Sequence, residues 1–375
     1  MAILLWIGAG LFALMLGLAL YRAEGAVRYR RYVAWETENR KGLHYYGKPL
    51  AERRAFRRQI ETRSRGLLPF LRFESRVQRA GIGLHSFQYD GVWGPRYSCT
   101  PETFRAAAAY PVSAQDVFVA TQMKCGTTWM QQVVYEILHK GAGNLGDSGH
   151  VHLNAVSPWI ESFDGVPMEK ALLLGSSRKK LIKTHLPTKL CPYSEQARYL
   201  YVTRHPVSCF ASIVDYFDLM AGPLAPPEPE LLDWFCSDRL WWLSWPDHVA
   251  GWWEWAQRRH NVLFVHFEEM KKDLAGVVRR AARFLGEELS EEQARAVVRK
   301  SGFEYMKEHE EQFEMSPPNL FSVRGTYFKS GQADRRRDVS EPVRCRILNF
   351  CKERLASSVY PAGLYYPDIP NPGCK

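Results

Sequence analysis

The segment TQMKCGTTW, residues 121–129, holds the most specific group of reactive side chains in the sequence. It joins a short β-branched run to a helical pattern. Such a turn presents free backbone N–H groups and the positive end of a helix to an anion. Gly126 lets the backbone approach closely. Thr127 and Thr128 add hydroxyl donors, and Lys124 adds a mobile charge. The segment therefore predicts a phosphate-binding loop, and the alternative is an ordinary glycine-containing turn.

The loop differs from the GxxxxGK[ST] pattern of nucleoside-triphosphate kinases in two ways. The residue five places before Gly126 is Thr121, and Lys124 precedes the glycine instead of following it. A kinase of this kind also needs a magnesium-binding carboxylate, and it would leave the KTHLP segment at 183–187 without a role. The sequence therefore disfavours a triphosphate-dependent kinase.

Polar residues also follow two later strand patterns. Lys183 and His185 lie at the end of one such run, and Arg204 follows the next, with Ser212 eight residues further on. The carboxyl ends of strands in an open parallel sheet border the ligand crevice. Lys124, His185 and Arg204 would then face one site from three strands.

The elements that must position these residues follow from hydrophobic periodicity, which alternates between strand and helix patterns from about residue 113. The predicted strands are 116–120, 180–184, 198–203 and 261–266, and the predicted helices are 127–140, one after Pro206, and 270–285. Strands separated by helices of this length indicate an α/β fold, with a parallel sheet that has helices on both faces.

Taken together, these motifs resemble the sulfotransferases that depend on 3′-phosphoadenylyl sulfate, and they are most similar to the cytosolic type. The resemblance runs from about Tyr89 to about Leu355 and includes FVHFEEM at 264–270, SGF at 301–303 and RG at 324–325. It implies a P-loop-like sulfotransferase fold with a parallel sheet flanked by helices. It also implies transfer of a sulfuryl group from 3′-phosphoadenylyl sulfate, with adenosine 3′,5′-bisphosphate as product and no metal.

The resemblance also assigns donor-binding residues one by one. They are Lys124, Gly126, Thr127 and Thr128 for the 5′-phosphosulfate, Trp129 and Phe303 for the adenine, and Arg204, Ser212, Arg324 and Gly325 for the 3′-phosphate. Trp129 could instead pack in a helix core, and Ser212 could be an ordinary helix residue.

His185 resembles the general base that takes a proton from the acceptor hydroxyl, and Lys183 and Lys124 resemble the charges that stabilise the sulfuryl group in flight. A positioned histidine accelerates attack by a hydroxyl, typically about 10²–10⁴-fold. A nearby lysine neutralises the charge that develops on the leaving phosphate oxygen. The alternatives are that His185 only caps its strand, or that the chain is an inactive nucleotide-binding scaffold. The presence of both Lys183 and His185 disfavours the scaffold.

The sequence departs from the family pattern at several positions. Met123 and Cys125 stand in place of the usual Pro and Ser, and Cys125 is expected to weaken one phosphate contact. Phe267 stands in place of a Tyr that contacts adenine, so no such contact is assigned to it. Val323 replaces a common Arg, and residues 329–333 replace the usual Gly-Asp-Trp.

The acceptor is expected to be a hydroxyl, or an amine, of a small molecule or a lipid-like compound. Seven of the 12 tryptophans lie between Trp234 and Trp255. Their spacing fits either a helix packed in the core or an aromatic wall of the acceptor pocket. The Pro-rich segment 221–229 predicts a surface loop, and residues 150–159 lie where related enzymes shape that pocket.

The run Ala2–Leu20 contains no charged residue and no proline. At about 1.5 Å per residue it just crosses a hydrocarbon core of about 30 Å. Arg22, Arg28, Arg30 and Arg31 follow directly, and the positive-inside rule then places the rest of the chain in the cytoplasm. The sequence predicts a single-pass membrane anchor, and the alternatives are a cleaved signal peptide or a soluble core helix.

Three segments result from this interpretation. They are a transmembrane anchor at 1–21, a basic juxtamembrane segment at 22–84 and a sulfotransferase catalytic domain at 85–375.

The net charge of +10 comes from one part of the chain, because residues 21–80 carry 16 basic and 6 acidic side chains and the rest is balanced. The charge therefore does not predict a nucleic-acid partner. The Arg-rich stretch 51–80 either contacts an anionic membrane surface or covers the catalytic domain. Eight cysteines without a CxxC pair predict neither a disulfide scaffold nor a zinc site, and cytoplasmic thiols would stay reduced.

Overall fold

The computed structural model contains a four-stranded sheet, a two-stranded hairpin and helices around them, preceded by a helical N-terminal part. The described residues are 2–40, 43–46, 48–78, 86–146, 152–221, 225–313, 328 and 334–370. The strands are β1 Ser86–Tyr89, β2 Val92–Pro95, β3 Asp116–Thr121, β4 Lys180–Thr184, β5 Arg198–Thr203 and β6 Val262–His266. The α-helices are α1 Ala2–Arg40, α2 Leu43–Tyr46, α3 Leu50–Arg65, α4 Leu68–Gln78, α5 Pro101–Ala108, α6 Thr127–Leu138, α7 Leu153–Val156, α8 Pro206–Ala221, α9 Glu228–Phe235, α10 Trp245–Arg258, α11 Phe267–Lys272, α12 Leu274–Leu285, α13 Glu291–Lys300, α14 Phe303–Glu308, α15 Glu341–Leu355 and α16 Ala362–Tyr365.

The four strands of the main sheet are parallel and have the order β4-β3-β5-β6. The chain adds β4 on one side of β3 and β5 on the other, and such a change of side opens a crevice outside the carboxyl ends of the strands. Ala120 pairs with Thr184, and Thr121 pairs with Val202. The ends of β3, β4 and β5 therefore meet at that crevice.

The strands are buried on both faces, as expected for a parallel sheet covered by helices. Val117 and Val119 of β3 belong to one apolar cluster with residues of α6 and α12. Phe118 and Ala120 belong to a second cluster with residues of α8, α10 and α15. The alternation of side chains along the strand creates these two layers, and the predicted α/β fold class is confirmed.

Two predicted elements are wrong in part, since the loop predicted at 221–229 includes Glu228 and Pro229, with which α9 begins. The segment predicted as one helix at 270–285 belongs to two helices. The first, α11, ends at Lys272, and α12 begins at Leu274 after the non-helical residue Asp273. The Asp273 side chain accepts a hydrogen bond from the backbone N–H of Gly276 at 2.8 Å. This N-cap starts α12 as a separate helix, since a capping aspartate competes with continued helix.

The tryptophan-rich segment divides between the core and the crevice. Trp245 and Trp252 of α10 are fully buried, and Trp252 stacks on Tyr201 with ring centroids 5.1 Å apart. Trp242 precedes the helix with a φ of 61°, and its ring centroid lies 4.8 Å from that of His185. The core interpretation holds for the first two residues, whereas Trp242 faces the crevice.

The helix α1 is continuous from Ala2 to Arg40, so no structural break marks the predicted boundary after residue 21. Large apolar side chains between Trp6 and Tyr21 are exposed. Within the described part of the chain, one helix, Trp6–Asn39, is long and apolar enough to cross a membrane. A signal sequence or a core helix of a soluble protein meets the same two criteria.

The helices α2, α3 and α4, called the arm below, pack on α1 and on the domain that carries the sheet. Phe56 and Ile60 of α3 form a buried cluster with Tyr45 and Tyr46 of α2 and with Ala155 of α7. Phe56 and Ile60, two apolar residues of the Arg-rich stretch, are thus used in packing within the protein.

Charged residues tie the arm to the same domain. Arg53 is 1% exposed and donates from Nη1 to the backbone carbonyl of Glu311 at 2.7 Å. Farther out, Arg22 of α1 pairs with Glu74 of α4 at 2.6 Å. Five basic side chains of the arm are exposed, namely Arg54, Arg58, Arg63, Arg65 and Arg72, whereas Arg57 is half-buried.

The cysteines are mostly buried free thiols, at Cys99, Cys125, Cys191, Cys209, Cys236 and Cys351. Cys345 is disulfide-bonded. This disulfide differs from the reduced thiols that the sequence predicts for a cytoplasmic domain.

Candidate active site

The loop between β3 and α6 has the geometry of an anion site. Gly126, the N-cap residue of α6, has a φ of 109°, and Lys124 has a φ of 63°. A Cβ atom at Gly126 would lie 2.7 Å from Cδ2 of Phe267, so its surroundings and its backbone conformation both require glycine. The loop therefore brings the N-terminal end of α6, a 12-residue helix, to the crevice.

A cavity of about 250 Å³ opens at the carboxyl ends of the central strands. The predicted site residues that line it are Lys124, Gly126, Thr127, Thr128, Trp129, Lys183, His185, Arg204, Ser212 and Phe303. Arg324 and Gly325 lie outside the described residues, as do Val323 and 329–333. The structure thus brings together every predicted site residue that it describes.

Aromatic rings form one part of the cavity wall. Trp129 donates from Nε1 to the carbonyl of Ser301 at 2.7 Å and meets Phe267 edge-on, with ring centroids 5.1 Å apart. Phe303 lines the same cavity. Such rings offer flat surfaces on which a base can stack. Phe267, to which the sequence assigned no contact, also lines the cavity and fixes the edge of Trp129.

Arg204 lies beside these rings. Its guanidinium carbon is 4.4 Å from the ring centroid of Phe267, and the residue is 6% exposed. Burial lowers the pKa of Arg204, because desolvation disfavours its charge. Ser212 of α8 lines the same cavity. A desolvated guanidinium near a hydroxyl can bind an anionic group of a ligand.

His185 follows β4 and is held by Thr121, the last residue of β3. Its Nδ1 lies 2.9 Å from the Thr121 carbonyl oxygen and 3.2 Å from the Thr121 hydroxyl. A carbonyl only accepts hydrogen bonds, so Nδ1 carries the proton and the lone pair is on Nε2. Burial lowers the pKa of His185 well below its usual value, and the charge of Lys183 lowers it further. The imidazole is therefore neutral and can accept a proton.

Two buried residues position the backbone of His185. Glu161 accepts from the His185 backbone N–H at 2.6 Å and from the Thr184 hydroxyl at 2.9 Å. His248 donates from Nε2 to the His185 carbonyl at 3.0 Å, while its Nδ1 lies 2.8 Å from the Tyr201 hydroxyl. Burial lowers the pKa of His248 to about 4, so this residue is also neutral near pH 7.

Lys183 and Lys124 supply positive charge beside the base. The Lys183 ammonium lies 3.9 Å from the ring centroid of Trp159, and that of Lys124 lies 5.0 Å from the centroid of Tyr216. Burial lowers the pKa of Lys183 to about 8, while Glu161 opposes this decrease and Lys124 adds to it. Two ammonium groups in one cavity favour a ligand with concentrated negative charge.

Several cavity residues carried no motif in the sequence, namely Tyr46, Tyr97, Asp164, Lys271 and Arg335. They come from the arm, the hairpin region, the turn after α7, α11 and the segment before α15, so only the folded chain brings them together. Of the segment 150–159, which the resemblance assigns to the acceptor pocket, Asn154 and Trp159 line the cavity.

The two unusual residues of the loop have different environments. Met123 lines the cavity. Cys125 is fully buried, and its sulfur lies 3.6 Å from that of Cys209 in the core. The Cys125 side chain therefore packs against α8.

Comparison with known proteins identifies the family. The Sulfotransferase domain family matches residues 114–358. Sulfotransferase 1C2 of Oryctolagus cuniculus is 30% identical over 230 residues, which cover 59% of this chain and 75% of the relative. Sulfotransferase 2B1 of Mus musculus is 31% identical over 258 residues, covering 67% and 74% of the two chains. The chain belongs to the sulfotransferase domain family and is a sulfotransferase of the class that depends on 3′-phosphoadenylyl sulfate.

Two solved structures share the fold. A mouse sulfotransferase complexed with PAP (adenosine 3′,5′-bisphosphate) aligns with a TM-score of 0.57 and 21% identity, covering 76% of this chain and 99% of that one. Retinol dehydratase in a complex with retinol and PAP aligns with a TM-score of 0.60 and 20% identity, covering 76% and 95%. These likenesses confirm the predicted sulfotransferase fold.

Proposed function

We propose that this enzyme transfers a sulfuryl group from 3′-phosphoadenylyl sulfate to the hydroxyl, or amine, of a small-molecule or lipid-like acceptor. The observation that carries the proposal is the position of neutral His185 in one cavity with Lys183, Lys124 and the anion-binding loop. The structural neighbours described as complexes with PAP support the choice of donor.

The donor lies along the cavity in this proposal. Its 5′-phosphosulfate is bound by the loop residues Lys124, Gly126, Thr127 and Thr128. Its adenine contacts Trp129 and Phe303, and its 3′-phosphate is bound by Arg204 and Ser212, with Arg324 and Gly325 as further ligands from the sequence resemblance.

The reaction is a direct in-line transfer. Nε2 of His185 takes the proton of the acceptor hydroxyl while the acceptor oxygen forms a bond to sulfur. The bond between sulfur and the bridging phosphate oxygen breaks at the same time. Lys183 and Lys124 neutralise the charge that this leaving oxygen gains. The lysines supply this charge, so the proposed chemistry requires no metal, and the described residues contain no group of three metal-ligating side chains.

The acceptor is proposed to lie on the far side of His185 from the donor loop. Among the residues that line the cavity, Tyr46, Trp159 and Trp242 would provide aromatic surface for the acceptor, and Asn154 and Asp164 would provide polar groups. This combination fits an apolar molecule that carries few polar groups. Retinol dehydratase is described in complexes with retinol and with androsterone, which are apolar alcohols of this kind.

The N-terminal run is proposed to anchor the protein in a membrane, with anchor, juxtamembrane segment and catalytic domain at 1–21, 22–84 and 85–375. The exposed apolar side chains of α1 support the anchor, and the arginines after it support a cytoplasmic catalytic domain. Exposed arginines of the arm would contact anionic lipid. The opposite orientation would place the catalytic domain in a lumen, an environment in which a disulfide such as that of Cys345 persists.

Protease treatment of sealed vesicles decides the orientation. A cytoplasmic catalytic domain is digested in inverted vesicles and protected in right-side-out preparations. Protection in inverted vesicles would refute the cytoplasmic assignment.

The donor assignment is tested by thermal melting of the full chain in detergent with PAP or with ATP and magnesium. A ligand at 100 times its Kd adds about 2.7 kcal/mol to the free energy of unfolding, which a melt resolves. Stabilisation by ATP but not by PAP would show that the donor is wrong. Transfer of radiolabelled sulfate to a lipid extract or a small-phenol extract then separates an enzyme from an inactive PAP-binding scaffold.

A further inference from the structure

Two cations line the cavity besides those predicted from the sequence, Lys271 and Arg335. Their charges are balanced differently. The guanidinium of Arg335 contacts the carboxylates of Asp215 and Asp338. Lys271 has no carboxylate within salt-bridge distance among the residues that the structure describes.

The carboxylates nearest to Lys271 in the chain bind other groups. Glu268 accepts hydrogen bonds from a backbone N–H and from the hydroxyl of Tyr366. Glu269 pairs with Arg280 at 2.5 Å. Lys271 is thus a half-buried cation that the protein leaves without an anionic partner in the described part of the chain.

The position of Lys271 indicates which ligand group would balance its charge. Its ammonium lies 5.4 Å from the ring centroid of Trp129 and 5.5 Å from that of Phe303, the two rings proposed to contact adenine. Burial lowers the pKa of Lys271, and the charge of Arg204 lowers it further. The ammonium therefore lies where the base site meets the anion site, and like charges there favour a bound anion.

We propose that Lys271 binds the 3′-phosphate of the donor, together with Arg204 and Ser212. This proposal rests on the proposed function, because it presumes a nucleotide with a 3′-phosphate in the cavity. The ammonium lies over the rings of Trp129 and Phe303. An adenine that stacks on these rings displaces it, and the flexible four-carbon stem carries it to the phosphate.

The test compares Lys271→Met, which keeps the aliphatic stem, with Lys272→Met, which removes the neighbouring exposed charge outside the cavity lining. Calorimetry on the full chain in detergent measures the Kd of adenosine 3′,5′-bisphosphate and of adenosine 5′-phosphate, which lacks the 3′-phosphate. For Lys271→Met we expect about 10- to 100-fold weaker binding of the bisphosphate. The Kd of the monophosphate should change less than about twofold, and Lys272→Met should match the wild type with both ligands.

Each other outcome overturns the proposal. Equal loss for both ligands would assign Lys271 to the 5′ side or to a merely structural role. Unchanged or tighter binding of the bisphosphate would mean that the ammonium only occupies the base site. Melting of the unliganded variants identifies a folding defect, and Lys271→Arg should restore the preference for the bisphosphate. If the wild-type protein itself does not bind the bisphosphate, the proposed function fails first and the role of Lys271 fails with it.

Discussion

The Nδ1 atom of His185 lies 2.9 Å from the backbone carbonyl oxygen of Thr121. Thr121 ends β3 and His185 directly follows β4, two strands paired in parallel from Asp116 with Lys180 to Ala120 with Thr184. The same strand end that begins the anion-binding loop therefore fixes the tautomer of the proposed base. In the proposed mechanism, the alignment of donor and base would follow from the register of these two adjacent strands.

His185→Ala should lower kcat at least about 10²-fold while the affinity for PAP stays nearly unchanged, because a general base acts on the acceptor and not on the donor. Arg204→Ala should do the reverse and mainly weaken PAP binding. Steady-state kinetics and calorimetry on both variants measure the two effects. Weak PAP binding by His185→Ala together with normal binding by Arg204→Ala would refute both assignments.

Lys183 should impose an alkaline limit on activity. Its pKa of about 8 means that it is charged below that pH and loses its proton above it. We expect kcat/KM for the donor to fall as pH rises through about 8, and kcat to fall only at higher pH because the bound anion favours the charged lysine. Lys183→Arg keeps its charge far beyond this range and should remove the decline. An unchanged decline in that variant would assign the limit to another group.

Much of the sheet was predictable because its strands are apolar on both faces and end in polar motifs. The predicted 180–184 and 198–203 coincide with β4 and β5, and 116–120 falls one residue short of β3. The joint between α11 and α12 was missed because the apolar periodicity continues across Asp273, and the cap becomes evident only from its bond to Gly276.

The site was predictable where a motif lies at a strand end, and it was not where a residue reaches the cavity from a distant element. Tyr46 comes from the arm, 108 residues before Asn154, whose Nδ2 lies 3.4 Å from the Tyr46 hydroxyl. Trp242 faces the cavity because its φ is 61°, a backbone conformation that no periodicity predicts for tryptophan. Lys271 shows its unbalanced charge only when its neighbours are known.

Gly126→Ala should destabilise the protein and weaken PAP binding. The φ of 109° is unfavourable for alanine, and the new Cβ would lie 2.7 Å from the ring of Phe267. A strained backbone position of this kind costs about 1–3 kcal/mol. The matched control is Gly66→Ala, where φ is −70° and no atom lies within 4 Å of the added Cβ. That control should leave the free energy of unfolding unchanged or raise it by up to about 1 kcal/mol, and equal melting of both variants would contradict the prediction.

Tyr46 should control the acceptor and not the donor. It is 5% exposed, its ring centroid lies 4.7 Å from that of His152, and Asn154 Nδ2 lies 3.4 Å from its hydroxyl. This packing fixes the ring in the wall of the cavity, on an arm that follows α1. Removing the ring in Tyr46→Ala forfeits aromatic contact with the acceptor, so KM for the acceptor should rise about tenfold or more.

Kinetics with 2-naphthol as acceptor measure KM for the acceptor, and calorimetry measures the Kd for PAP. The two values distinguish an effect on acceptor binding from an effect on donor binding. Tyr46→Ala should keep the Kd for PAP within about twofold of the wild type, because the rings and cations proposed to bind the donor lie on other elements. Tyr46→Phe keeps the ring and loses the hydroxyl, so it should resemble the wild type if the aromatic surface is what binds the acceptor. A rise in KM in Tyr46→Phe as large as in Tyr46→Ala would assign the effect to the hydroxyl and its contact with Asn154. An unchanged KM in Tyr46→Ala would place the acceptor away from the arm, and the arm would then be only a structural connection to α1.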